Sequence, residues 1–198
     1  DGISKLSPET RWNNFTGFSG GWNVANESFM DFSKDYISDL KLRGSYSEVG
    51  NTDIGNFPYL GLTSSAQYGT TNGIGYSQFG NDALQWETSK KTDFGVDLGI
   101  LQNKIRFTFD YFKNDITGMI LNVPTAPSLG IPFNRIAKNI GSMENTGFEF
   151  SVEASVIHKG DFKWNVNANL TLQESEVTSL PTNNADIIGG SSTDINIT

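Results

Sequence analysis

Apolar and polar residues alternate with a period of two over several long stretches of this chain. From position 86, even positions read Trp86, Thr88, Lys90, Thr92, Phe94, Val96, Leu98 and Ile100. Odd positions read Glu87, Ser89, Lys91, Asp93, Gly95, Asp97 and Gly99. Successive side chains of an extended backbone point to opposite faces, so the spacing predicts a strand over 86–101 with one apolar and one polar side. Gln102 and Asn103 form a candidate two-residue turn. A second strand over 104–121 sets Ile105, Phe107, Phe109 and Tyr111 against Arg106, Thr108 and Asp110. A third, over 148–156, sets Phe148, Phe150, Val152, Ala154 and Val156 against Glu149, Ser151, Glu153 and Ser155. A turn at 158–161 leads to a fourth, over 162–172, with Phe162, Trp164, Val166, Ala168, Leu170 and Leu172 against Lys163, Asn165, Asn167, Asn169 and Thr171. Weaker alternation covers 12–25 and 40–49.

Residues 26–32 break the pattern and read as one short capped helical turn. Residues 50–80 and 122–142 are rich in Gly, Asn, Thr and Pro without periodicity and read as loops. Links therefore alternate between short (26–39, 102–103, 158–161) and long (50–80, 122–142, and from 181 onward). If strands run up and down in order, all short links lie at one end, as in outer-membrane barrels.

The two faces suit that reading. Asp93, Asp97, Asp110, Glu149, Glu153, Lys163, Asn165, Asn167 and Asn169 point one way, towards a polar lumen. The opposite face carries the residues lipid requires. Phe162 and Trp164 just past a short turn, and Trp22 just before one, occupy girdle positions. Lys90, flanked by Thr88 and Thr92, is placed above the bilayer. A soluble antiparallel sandwich alternates in the same way. Strand length favours the barrel, because 86–101 and 104–121 far exceed the five or six residues usual in soluble strands. The expected fold is all-β: an antiparallel, up-and-down transmembrane barrel of which this chain, 1–198, is an incomplete part.

Composition narrows the function. A net charge of −8 with scattered Lys and Arg gives no basic patch for nucleic acid. Cysteine is absent, which removes disulfides, thiol nucleophiles and thiolate metal sites. His158 is the only histidine and lies in a turn sequence, so multi-histidine metal sites are excluded. No signal peptide opens the chain and no run of 18 apolar residues occurs, but a barrel strand needs only about 10 alternating residues.

No catalytic constellation, cofactor motif or metal motif stands out. Asp93/Asp97 and Glu149/Glu153 each lie about 13 Å apart along one strand, too far for paired-carboxylate chemistry within a pair. The Gly-rich stretch 69–75 does not join a strand to a helix as phosphate loops do. Asn51, Asp53 and Asn56 lack the spacing of a calcium loop and read as turn residues. The candidate substrate-binding residues are the loop aromatics Phe57, Tyr59, Tyr68, Tyr76, Phe79 and Phe133, whose faces can stack on sugar rings or peptide side chains. The alternative is that they pack loops on each other or on a partner.

Four segments carry a family resemblance: DGISKLSPETRWNNFTGFSGGWNVANESFM (1–30), LKLRGSYSEVGNTDIGNFPYL (40–60), LQWETSKKTDFGVDLGILQNKIRFTFDYFKNDITGMIL (84–121) and NIGSMENTGFEFSVEA (139–154). In this order they resemble the barrel domain of SusC-like (RagA-like) TonB-dependent transporters of the Bacteroidetes, and together they cover more than half of the chain. The resemblance implies an outer-membrane barrel of about 22 strands around an N-terminal plug. It implies a SusD-like surface lipoprotein as extracellular lid. It also implies import of oligosaccharides or peptides driven by TonB contacting the plug. The plug and most of the barrel are then expected outside these residues. Alternatives are a passive outer-membrane barrel or adhesin, and a soluble carbohydrate-binding β-sandwich.

Overall fold

The computed structural model describes residues 1–180. Six long strands form one antiparallel sheet: β1 (Gly17–Asn23), β2 (Ile37–Asn51), β5 (Glu87–Ile100), β6 (Ile105–Thr117), β9 (Ser142–Lys159) and β10 (Phe162–Ser179), neighbours in that order. The expected long connections are not structureless. Residues 50–80 contain the hairpin β3 (Leu62–Tyr68) and β4 (Thr71–Gln78), and 122–142 lie largely within the hairpin β7 (Ile120–Pro124) and β8 (Arg135–Asn139). The long loop expected from 181 onward lies outside the described residues.

Several boundaries move for identifiable reasons. The strand expected over 104–121 stops at Thr117, because Gly118 turns the chain at φ +65° before β7 begins. The alternation over 12–25 yields a strand only from Gly17, since residues 1–16 fold into the base of the long loops. The turn after β5 has four residues rather than two. Leu101, Gln102 and Asn103 all adopt left-handed φ, and Lys104 N–H closes the turn on Leu101 O at 3.3 Å. The turn after β9 is tighter than 158–161, with Gly160 and Asp161 alone between the paired Lys159 and Phe162. The turn at 26–32 is two 3-10 segments, Val24–Asn26 and Ser28–Ser33, and neither has a side-chain cap.

Pairing register fixes the two faces. One row joins Trp22, Leu42, Val96, Phe109, Phe150 and Leu170; the next joins Leu40, Leu98, Phe107, Val152 and Ala168. Aromatic pairs run along this face, with Phe109 stacked on Phe148 at 5.8 Å and Tyr111 beside Phe148 at 5.2 Å. Towards the long-loop end the same face turns polar in the row Glu48, Lys90, Asp115, Glu144 and Glu176. There Lys90 pairs with Glu48 at 3.8 Å and Lys113 with Glu144 at 2.8 Å. Lys90 thus sits in a polar belt beyond the apolar band.

The sheet is also slanted. Asn23, the end of β1, aligns through Lys41, Asp97, Thr108 and Ser151 with Asn169, seven residues past Phe162 where β10 starts. Seven residues are about 24 Å along a strand, and five inter-strand steps are about 24 Å across, giving a tilt of roughly 45° for turns on one level. Membrane barrels tilt by about 35–45°. On the same premise of level turns, Trp22 stands level with Phe162 and Trp164, the three expected girdle residues.

No second sheet covers either face of the six-stranded sheet among the described residues. The fully buried side chains Leu6, Ser7 and Leu84 sit in the long-loop base instead.

Candidate functional site

The polar face and the loops above it are the surfaces able to meet a solute. The face is built around Arg43 of β2, whose cross-strand partners are Gly95 of β5 and then Asp110 of β6. Its Nε donates to Asp97 Oδ2 at 2.8 Å, and its Nη2 donates to Asp97 Oδ1 at 3.1 Å and to Asp110 Oδ1 at 2.9 Å. The guanidinium reaches across a whole strand because Gly95 has no side chain; a Cβ there would lie 2.6 Å from Arg43 Cζ. Thr108 Oγ1 donates to Asp97 and Ser45 Oγ to Asp93. These carboxylates accept hydrogen bonds from a guanidinium and from hydroxyls. A shallow hollow of about 290 Å³ opens beside them, lined by Ser19, Lys41, Arg43, Ser45, Asp93 and Asp110 among others.

One row further towards the loops the same face carries a different residue type. Phe112 aligns with Asp93 on one side and with Gly147 and then Gln173 on the other. Its ring lies over Gly147, where an added Cβ would come within 2.5 Å of Phe112 Cζ. Sequence reading missed both features. Arg43 lies in a weakly alternating stretch, and its reach depends on register. Phe112 breaks the parity of its strand by a single residue, the only available signal.

The loop base is tied by amide side chains. Asn139 accepts from Gln85 N–H at 2.8 Å and donates to Gln85 O at 2.9 Å and Gly118 O at 2.8 Å. Asn81 Nδ2 donates to Ala137 O at 2.8 Å. The segment entering β5 is thereby fastened to β8. Ser7 Oγ donates to Asp82 O at 3.0 Å, and Phe15 packs edge-on against Trp86 at 5.3 Å. Asn51 takes a turn role, accepting from Asp53 N–H at 3.0 Å.

The loop aromatics are not gathered into one cluster. Phe57 meets Tyr59 edge-on at 6.4 Å, and Tyr76 meets Phe79 at 6.4 Å. Gln78 Nε2 draws these pairs together by donating to Phe57 O and Leu60 O, both at 2.9 Å. Tyr68 ends β3. Phe133 stands apart in the β7–β8 connection, 81% exposed and in left-handed backbone at φ +58°.

Residues 5–194 match the family model of the TonB-dependent receptor-like β-barrel. The chain belongs to the TonB-dependent receptor barrel family. This receptor chain is 34% identical over 191 residues to TonB-dependent receptor P39 of Formosa agariphila, covering 96% of the chain and 18% of that protein. It is 35% identical over 190 residues to TonB-dependent receptor SusC of Bacteroides thetaiotaomicron, covering 91% of the chain and 18% of SusC. It superposes on the RagAB peptide importer in the closed-closed state with a TM-score of 0.81 at 28% identity, covering 89% of the chain and 19% of that structure's chain. Against the open-open state the TM-score is 0.80 at 26% identity, covering 91% and 19%. The receptor chain thus spans under a fifth of the length of these relatives. It is a part of an outer-membrane barrel wall. Its relatives are TonB-dependent receptors and a peptide importer.

Proposed function

We propose that this wall segment serves a SusC-like importer that takes nutrients, oligosaccharides or peptides, across the outer membrane under TonB control. TonB acts through a plug domain outside this chain, and a SusD-like surface lipoprotein is the extracellular partner. The role is binding and passage, with no catalytic step. The observation that carries the reading is the division of the sheet. A tilted lipid-adapted face backs a polar interior face, and both end beneath a packed, aromatic-bearing loop base. The loop pairs Phe57/Tyr59 and Tyr76/Phe79, with Tyr68 and Phe133, are the proposed contacts for solute or lid.

The test is solute-dependent growth of cells carrying the intact receptor, with and without functional TonB, alongside purification from the outer membrane. The expected result is uptake that disappears without TonB and a lipoprotein that copurifies. Undiminished uptake without TonB would move the chain to the passive-barrel reading.

A further inference from the structure

We propose that the link from β1 to β2, residues 24–36, is a foot that rests in the headgroup layer of a neutral phospholipid surface, a reading that rests on the lipid-adapted character of the apolar face. Two residues suffice to join antiparallel strands, and the turn after β9 uses Gly160 and Asp161 alone. The link 24–36 is far longer. It alone among the three described short links carries aromatic residues, Phe29, Phe32 and Tyr36.

Within the link, Ser28–Ser33 form a 3-10 helix. At about three residues per turn, side chains at i and i+3 stand one above the other, so the segment is a three-sided prism. Met30 and Ser33 share the packed side, where Ser33 is buried and its Oγ donates to Met30 O at 2.8 Å. Asp31 and Lys34 share the second side and form an ion pair. Phe29 and Phe32 share the third, 57% and 82% exposed. That third side is apolar and has little cover among the described residues.

Trp22 fixes where the apolar side points. It belongs to the apolar row that continues through Leu42, Val96 and Phe109. Phe29 meets the Trp22 ring edge-on at 6.2 Å. Trp22 Nε1 donates to Glu27 Oε1 at 3.0 Å, which holds the link back against that ring. The side bearing Phe29 and Phe32 therefore continues the apolar face of the sheet, not its polar face. Closing a barrel adds strands beside the free edges of β1 and β10, and a plug lies inside the wall. Neither lies over the outer face.

The chemistry of the prism fits a membrane interface. Aromatic rings favour the boundary between headgroups and hydrocarbon, and a segment with one apolar and one charged side lies flat in that layer. The charges select the headgroup. Residues 24–36 hold three carboxylates, Glu27, Asp31 and Asp35, against one cation, Lys34, a net −2. Such a segment gains nothing from an anionic surface, which attracts basic ones. A zwitterionic headgroup offers its ammonium to the carboxylates and its phosphate to Lys34.

The experiment uses the intact receptor in phosphatidylcholine vesicles, with a nitroxide spin label on a single introduced cysteine. Collision rates with oxygen, which concentrates in lipid, and with a water-soluble nickel chelate report the depth of the label. The variants are Phe32→Cys, Phe150→Cys on the apolar band and Asp161→Cys at another short turn. Phe29→Cys holds the test if Phe32→Cys fails to assemble; heat-modifiable migration checks assembly. The expected result is an oxygen-to-nickel ratio at position 32 several-fold above that at 161 and below that at 150. A ratio at 32 equal to that at 161 means an aqueous link and overturns the foot. Shielding of position 32 from both reagents means that protein covers it, a second copy or another partner, and overturns the lipid assignment. A label at 150 that nickel reaches as readily as the label at 161 overturns instead the lipid-facing reading of the sheet.

Discussion

Arginine placed at graded heights on the apolar face should destabilise the intact receptor in proportion to its depth. The girdle defined by Trp22, Phe162 and Trp164 sets the zero, and an apolar band of about 25 Å puts the midplane about 12 Å above it. Phe150 pairs with Leu170, which lies about seven residues beyond the girdle level on β10. At 3.4 Å per residue, 4.8 Å per strand step and a 45° tilt, Phe150 stands about 13 Å above the girdle, at midplane. Val166 stands about 7 Å above it on the same geometry. Relative to Phe150→Ala, which removes the packing but adds no charge, Phe150→Arg should cost a further 2–4 kcal/mol or so. Val166→Arg should fall between that figure and the cost of Phe162→Arg, about 0–1 kcal/mol at the interface. Ser151→Arg, next to Phe150 but beside Thr108 and Asn169 on the interior face, should stay within about 0.5 kcal/mol. Asn167→Arg, opposite Glu153, should be equally mild. Urea folding titrations of the receptor in lipid vesicles give the numbers. A profile independent of height, or a Ser151→Arg cost equal to that of Phe150→Arg, would refute the lipid-facing geometry.

Other outcomes follow from close approaches and ties. Gly147→Ala should destabilise the barrel by about 1–3 kcal/mol, because its Cβ meets Leu172 O at 2.6 Å as well as the Phe112 ring, and backbone cannot step aside. Gly20→Ala, with nothing within 4 Å, should be neutral in the same urea titration. Gly95→Ala should break the bridge from Arg43 to Asp110, seen as a smaller loss of the folding midpoint on adding salt than in the parent. Asn139→Ala removes three hydrogen bonds to backbone and should expose 79–87 and 118–141 to limited proteolysis while heat-modifiable migration stays unchanged.

The sheet was legible where its two sides meet different solvents. Phe94, Val96 and Leu98 against Asp93, Gly95 and Asp97 could be read as a strand because one side needs lipid and the other water. The β3–β4 hairpin was not legible for the converse reason. Small or polar residues such as Thr63, Ser65, Asn72 and Ser77 recur along it, and its described residues are mostly exposed, so no alternation is imposed. Strands β9 and β10 run past their apolar stretches into Glu144, Glu174 and Glu176, because backbone pairing continues beyond the apolar band. The loop aromatics could be named from sequence, but their pairing through Gln78 could not, since it depends on a hairpin the pattern does not announce. The reach of Arg43 became visible only through register, which decides what lies across two strands, whereas Phe112 showed in the sequence as a single break of parity.

The burial of Leu6, Ser7 and Leu84 beneath the loops, rather than within the sheet, inverts the usual map of mutational tolerance. Lipid is fluid and imposes no fixed shape, so the outward strand positions can exchange one apolar residue for another. The loop base is the solid part, where each side chain meets defined neighbours and a lost methyl group leaves a hole. A library that randomises the hairpin tips and the lipid-facing positions while holding residues 1–16 and 79–87 constant should therefore return mostly assembled barrels. The opposite library should not.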